Sequence, residues 1–223
     1  ASPQIRNMGT LGGNLCQEVR CWYYRYPARL GGSLPCARKG GTKCYAPQGD
    51  NRFHAILGAR RCFAVCPSDT AVALAALEAK LRIAGPGGEK KVPVTDFYHP
   101  LGKNLEPNEI VVGVDLPRPP AGARQRFLKF TLRRPIDFAV ASVAAVVKEE
   151  DGVVTDCRLV LGAVAPGPVR ARAAEEMLKG RPLEPGIAAQ AAEEALAAAK
   201  PLSGNAYKVE IARTLIRRAL SGE

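Results

Sequence analysis

Apolar and polar positions follow a regular period only beyond about residue 66, and the periods found there predict the ordered elements. Ser68-Asp69 precedes Ala71-Val72-Ala73-Leu74-Ala75-Ala76-Leu77, which reads as a short helix with Ser68 or Asp69 at its N-cap. Lys80 to Ile83 reads as a strand, Gly85 to Gly88 as a turn, and Glu109 to Leu116 as a further strand stopped by Pro117. Arg126 to Leu132, Ala139 to Lys148 and Val153 to Val164 read as three more strands, the last two joined by the hairpin signal Asp151-Gly152. Helices are expected over Ala171 to Lys179, Ile187 to Ala199 and Asn205 to Leu220. The pattern predicts an α+β fold: an α/β subdomain, then a three-stranded antiparallel sheet packed with helices. The proline-rich stretch Pro117 to Gly122 is the best linker, dividing residues 1–117 from residues 123–223.

Residues 16 to 66 break this order. They carry little periodicity and many turn formers, including Gly31-Gly32-Ser33, Gly40-Gly41 and Pro47-Gln48-Gly49-Asp50. An irregular insert of this length is costly in a compact domain unless something cross-links it, and this one contains Cys21, Cys36, Cys44 and Cys62. Their spacings, C-x14-C, C-x7-C and C-x17-C, are wider than those of a ferredoxin run or a zinc ribbon. Four soft donors suit iron–sulfur or zinc, and reduced structural thiols are a third reading. Cys16 and Cys66 are alternates, whereas Cys157, in an apolar stretch, reads as a small core residue. His54 lies within the insert as a packing residue or a ligand, and His99 precedes Pro100 in an expected loop.

Composition narrows the class. With 47% hydrophobic residues the chain can bury a core without disulfide staples, so seven cysteines, an odd number, point to metal ligation or buried thiols. No apolar run approaches the roughly 18 residues of a membrane span. The net charge of +11 is concentrated in the insert, where cations such as Arg20, Arg25, Arg38, Lys39 and Lys43 face only Glu18 and Asp50. Such a surface attracts phosphate, stabilises a negatively charged cluster, or is merely solvated.

The glycine run ahead of the insert, Arg6-Asn7-Met8-Gly9-Thr10-Leu11-Gly12-Gly13-Asn14, reads as an irregular loop. Its glycines permit φ > 0 and a close approach to a flat or phosphorylated ligand, while Thr10 and Asn14 supply donors and acceptors. It has neither Walker nor Rossmann spacing. Asp69 is an N-cap or a carboxylate turned to a cofactor; Lys129 is an edge lysine or reaches a bound anion.

Taken in order, the motifs Gln4 to Asn14, Pro67-Ser68-Asp69-Thr70-Ala71, Phe127-Leu128-Lys129-Phe130 and Arg133-Arg134-Pro135-Ile136-Asp137-Phe138-Ala139 resemble the FAD-binding middle subunit of the xanthine dehydrogenase family of molybdenum hydroxylases. The insert from Cys21-Trp22-Tyr23-Tyr24 to Cys62 resembles the subset with an extra [4Fe-4S] cluster, as in 4-hydroxybenzoyl-CoA reductase and periplasmic aldehyde oxidoreductases. The resemblance implies Cys21, Cys36, Cys44 and Cys62 as cluster ligands, leaving out Cys16 and Cys66. It implies Thr10, Gly12, Gly13 and Asn14 along the flavin, Asp69 in contact with it, Val111 packed on it from a strand end, and Lys129 reaching it from the C-terminal domain.

The role so implied is an oxidoreductase subunit relaying electrons through FAD and the cluster, with no acid–base pair of its own. Its partners would be a molybdenum-cofactor large subunit and a [2Fe-2S] small subunit, with no nucleic acid and no membrane span. The expected compartment is the cytoplasm, or the periplasm by export with a partner. The pyrophosphate-binding glycine loop of a preceding subdomain has no counterpart, which implies N-terminal truncation. A zinc-stabilised basic module stacking nucleic-acid bases on Trp22, Tyr23 and Tyr24 is the alternative.

Overall fold

A computed structural model describes residues 2–26, 34–134 and 136–222. The expected turn at Gly31-Gly32-Ser33 and the motif residue Pro135 lie outside the described residues.

The N-terminal run is helical where a loop was expected. Helix α1 (Pro3–Met8) is capped by Ser2, whose hydroxyl accepts from the Ile5 amide, and α2 (Leu11–Cys16) by Thr10, which accepts from the Gly13 amide. Gly9, Gly12 and Gly13 do not take positive φ. Their service is space: a Cβ on Gly9 would lie 2.7 Å from the Ile5 carbonyl oxygen.

Among its described residues the insert adds helix α3 (Trp22–Arg25) and 3-10 turns at Ala37–Lys39 and Ala46–Gln48. Order resumes at α4 (Asp69–Ala76), where Ser68 caps by accepting from the Ala71 amide. A hairpin follows, β1 (Lys80–Gly85) and β2 (Gly88–Pro93), then α5 (Val94–Phe97), the two-residue pair β3 (Tyr98–His99) and β4 (Gly102–Lys103), and β5 (Ile110–Asp115). The first sheet is antiparallel in the order β2-β1-β5. Strand β2 escapes the hydrophobic pattern because Glu89, Lys90 and Lys91 are all exposed.

The C-terminal half holds β6 (Arg124–Phe130), β7 (Ala141–Glu150), β8 (Val153–Gly162) and β9 (Val169–Arg170), then α6 (Arg172–Leu178), α7 (Pro185–Leu196) and α8 (Tyr207–Ser221). The expected three-stranded sheet has a fourth, two-residue strand, giving the antiparallel order β6-β7-β8-β9. Among the described residues, no helix is long and apolar enough to cross a membrane.

The apolar run of β7 is continuous because both of its faces are covered. Val143, Ala145 and Val147 join Leu159, Leu161 and the α6–α8 side chains in one core, while Ala144 and Val146 turn the other way onto α4 and β1 with Val160. The period of two along the strand thus makes this sheet the wall between two cores. Cys157 is a buried member of the first core, as its setting suggested.

Polar bonds fasten the insert to this wall. Lys208, at the start of α8 and 1% exposed, donates from Nζ to the carbonyls of Ala163 (2.6 Å), His54 (2.9 Å) and Phe53 (3.4 Å). Ala163 takes the left-handed conformation, φ 59°, unusual for a residue with a side chain, at the position whose carbonyl meets Lys208. Asn205 Nδ2 donates to the His54 and Ala55 carbonyls, and Asn51 Oδ1 accepts from the Gly204 amide at 2.8 Å. The Ile56 and Leu57 amides both donate to the Val164 carbonyl at the end of the sheet.

Burial pushes the Lys208 amine down to about 7, helped by the charge of Arg20. A base whose folded pKa lies below its ordinary 10.5 gives stability that is full above 10.5 and lost as pH falls to about 7, because the unfolded chain holds the extra proton across that window. Urea unfolding of the protein should therefore show stability rising with pH over that range. Lys208→Met should flatten the rise and, by leaving buried carbonyls without a donor, cost roughly 2–4 kcal/mol.

Candidate functional site

Two adjoining cavities lie where the N-terminal helices, α4 and the second sheet meet. One, of about 440 Å³, is lined by Asn14, Asp69, Thr70, Lys129, Asp137 and Phe138. The other, of about 630 Å³, is lined by Gly9, Thr10, Gly13, Asn14, Gln17 and Thr70. Ile5, Asn14, Gln17 and Thr70 line both, so the two lie side by side and together make up the recess. Of the residues expected along a flavin, Thr10, Gly13, Asn14, Asp69 and Lys129 are brought together here. Gly12 and Val111 line neither cavity; they meet behind α2, where a Cβ on Gly12 would lie 3.5 Å from the Val111 carbonyl oxygen.

Local structure explains each position. Ser68 caps α4 and its hydroxyl donates to Asn14 Oδ1 at 2.7 Å, which ties the C-terminal part of α2 to the start of α4 and leaves the Asn14 amide NH2 for the recess. Ser68 is thus the cap, and Asp69 is left to pair with Lys129, whose Nζ lies 2.6 Å from Asp69 Oδ2 and 2.8 Å from the Asp137 carbonyl. Asp137 in turn binds Arg133 through both carboxylate oxygens, and the Arg133 guanidinium holds that carboxyl down at about 2. Thr70, Asp137 and Phe138 entered from sequence only as members of the motifs that carry the family resemblance, and Gln17 was not singled out. Gln17 closes α2 as its C-cap.

The recess has an apolar side as well. Ile5, Ile136 and Phe138 line it while remaining 62%, 46% and 40% exposed. A mostly apolar hollow with a few converging polar groups suits a flat heteroaromatic ligand with polar edges, so the residues present fit a flavin.

In the insert, Cys21 and Cys62 are buried together with Val19 and Ala64, under Tyr23 and Tyr24. Cys36 is buried and its peptide bridges Lys43, the neighbour of half-buried Cys44. All four thiols are free of disulfides. Burial pushes the Cys21 thiol up to about 11, opposed by the Tyr24 and Tyr23 peptides and reinforced by charge on Cys62 and Cys44. Burial also raises Cys62, against the pull of the Ala64 peptide and Arg38. The Arg38 side chain is only 5% exposed and donates to the Pro100 carbonyl at 2.9 Å, so a buried guanidinium stands beside these sulfurs. Among the described residues, no group of three or more His, Cys, Asp or Glu side chains is placed to hold a metal ion. Four thiols, three of them buried and with Cys44 close enough to push up both Cys21 and Cys62, form a soft donor set of the kind that iron–sulfur or zinc takes.

His54 sits beneath Cys21, with Nε2 3.3 Å from Cys21 Sγ and its ring 5.9 Å from that of Tyr23. Burial, with the charge of Lys208, pushes His54 down to about 4, so it is neutral. His99 is exposed at the end of β3.

Residues 1–119 match the family described as the FAD binding domain in molybdopterin dehydrogenase, and residues 126–222 match the CO dehydrogenase flavoprotein C-terminal domain. The chain belongs to the FAD-binding medium subunits of the molybdenum hydroxylases. It is 36% identical over 231 residues to the aldehyde oxidoreductase FAD-binding subunit PaoB of Escherichia coli (strain K12), covering 99% of this chain and 67% of that protein. It is 31% identical over 153 residues to the carbon monoxide dehydrogenase medium chain of Hydrogenophaga pseudoflava, covering 66% of this chain and 52% of that one. The structure of carbon monoxide dehydrogenase from Hydrogenophaga pseudoflava, lacking the Mo-pyranopterin moiety of its molybdenum cofactor, superposes with a TM-score of 0.71 at 27% identity, covering 99% of this chain and 62% of that one. The chain therefore spans about two thirds or less of the length of these relatives.

Membership in this flavoprotein family replaces the nucleic-acid alternative, since both halves of the chain match flavoprotein domains. The joint between α2 and α4 can be tested in the protein itself. Ser68→Ala should cost about 1 kcal/mol in denaturant unfolding. Combined with Asn14→Ala the loss should be less than additive, because both changes remove the same hydrogen bond.

Proposed function

We propose that this chain is the electron-transfer subunit of a molybdenum-dependent hydroxylase or dehydrogenase, carrying FAD in the recess and a [4Fe-4S] cluster in the insert. Its partners are a molybdenum-cofactor large subunit and a [2Fe-2S] small subunit. The substrate class is aldehyde, xanthine or aromatic CoA-ester, with the similarity to an aldehyde oxidoreductase subunit favouring the first. The observation that carries the reading is the convergence of Thr10, Gly13, Asn14, Asp69 and Lys129, from both halves of the chain, on one recess with an apolar side.

FAD held there supplies the change between one-electron and two-electron steps; the protein supplies orientation and electrostatics. Lys129, already shared between Asp69 and the Asp137 carbonyl, offers a remaining ammonium hydrogen to an oxygen of the ligand. Asn14 donates from an amide whose carbonyl is fixed by Ser68, and the Thr10 hydroxyl, which caps α2, keeps its own hydrogen for a ligand acceptor. Gly12 and Val111 set the thickness of the wall behind α2. Phe138 and Ile136 shield one side from water.

In this reading Cys21, Cys36, Cys44 and Cys62 would hold the cluster, which would supply one-electron transfer within the flavin domain. Three buried thiols, one half-buried thiol and the buried Arg38 support it, because a cation near four thiolates offsets their charge.

Anaerobic reconstitution of the protein with its partners should give a flavin spectrum and about four iron and four sulfide per chain beyond those of the [2Fe-2S] subunit. Cys36→Ser should lose those four iron and Cys157→Ser should keep them. Lys129→Met should weaken flavin binding about tenfold, or ~1.4 kcal/mol. Uptake of zinc in place of iron contradicts the cluster; flavin affinity unchanged in Lys129→Met contradicts the recess.

A further inference from the structure

The insert contains one buried polar side chain that neither ligates in the scheme above nor satisfies its own hydrogen bonds. His54 is 1% exposed, its Nδ1 has no hydrogen-bond partner, and its Nε2 is 3.3 Å from Cys21 Sγ. A buried polar atom left unsatisfied is uncommon and calls for a reason. The ring is also held from behind. The His54 carbonyl accepts from Lys208 Nζ at 2.9 Å and Asn205 Nδ2 at 3.1 Å, both from the C-terminal domain, and its amide donates to the Asn51 carbonyl at 3.0 Å. Three hydrogen bonds to the backbone of one residue hold His54 in place, with its imidazole against Cys21.

The donor follows from the sulfur. When Cys21 is a ligand its sulfur carries no hydrogen, so a bond across the 3.3 Å gap requires a hydrogen on Nε2. Such a bond to a cluster sulfur favours the reduced, more negative state, and hydrogen bonds to the sulfurs are one of the levers that set cluster potentials.

We propose that His54 donates an Nε2–H hydrogen bond to the Cys21 sulfur and thereby raises the reduction potential of the cluster bound there, with Lys208 and Asn205 as positioning residues that hold it from the C-terminal domain. This rests on the cluster reading above. His54 is thus the point through which the C-terminal domain tunes an insert in the other half of the chain.

The test uses the full protein in its complex, with the cluster titrated by dithionite and followed by EPR. His54→Leu removes the donor and should make one-electron reduction about tenfold less favourable, a midpoint lower by ~59 mV. His54→Gln, which places an amide N–H near the same point, should stay close to wild type. The chain has only two histidines, so histidine labelled with nitrogen-15 gives a second readout in unmutated protein. Pulsed EPR of the reduced cluster should show a histidine nitrogen coupling that survives His99→Gln and disappears in His54→Gln. Wild-type complex with no iron beyond that of the [2Fe-2S] subunit would remove the cluster reading and this inference with it. Iron at full occupancy with no coupling to His54, or with an unmoved potential in His54→Leu, would overturn this inference alone.

Discussion

Lys208 Nζ, almost without access to water, satisfies three backbone carbonyls, two from the insert and one from the end of the second sheet. Removing an ammonium from water is expensive, and it is tolerated only where acceptors replace the lost hydration. Those acceptors are carbonyls of irregular backbone, and Asn205 shares the one on His54 with the lysine. The lysine and the loop therefore depend on each other. Ala163 holds a left-handed backbone at that junction, and Asn51 and Asn205 add side-chain bonds to the same strap. An insert whose described residues hold little regular structure is in this way fastened to the second sheet.

The chemistry follows from that fastening. With residues 53–57 fixed against the sheet, His54 is placed under Cys21, and Cys21 shares its pocket with Cys62. The flavin recess rests on a different joint, the Ser68 bridge between α2 and α4, and is closed from the C-terminal domain by Lys129. Both sites draw on both halves of the chain. The doubly covered strand β7 is what keeps the halves in register, since its alternate residues belong to different cores.

Much of this was legible in the sequence. The Val-rich and Ala-rich runs of β7 and β8 declare themselves because burial on both faces needs apolar residues throughout, and Asp151-Gly152 marks their turn. Ser68 was readable as a cap. Strand β2 was not, because its Glu89-Lys90-Lys91 face is solvated, and β9 is too short to carry a period. The glycine run concealed α1 and α2; the cues were the caps Ser2 and Thr10, with Pro3 at the helix start, outweighed by three glycines. The shape of the insert rests on bonds between residues some 150 positions apart, such as Asn51 with Gly204, and no local pattern encodes those. Family resemblance supplied the cysteine ligand set, but only geometry put His54 beside one member of it.

The central claim, that polar bonds from the C-terminal domain hold the irregular insert as firmly as the sheet, is tested most directly by native-state hydrogen exchange. The Ile56 and Leu57 amides, both bonded to the Val164 carbonyl, should exchange as slowly as the amides of β7 and β8, through the same global opening. Exchange of these two amides on the fast timescale of an exposed loop, while the sheet stays protected, would contradict the account.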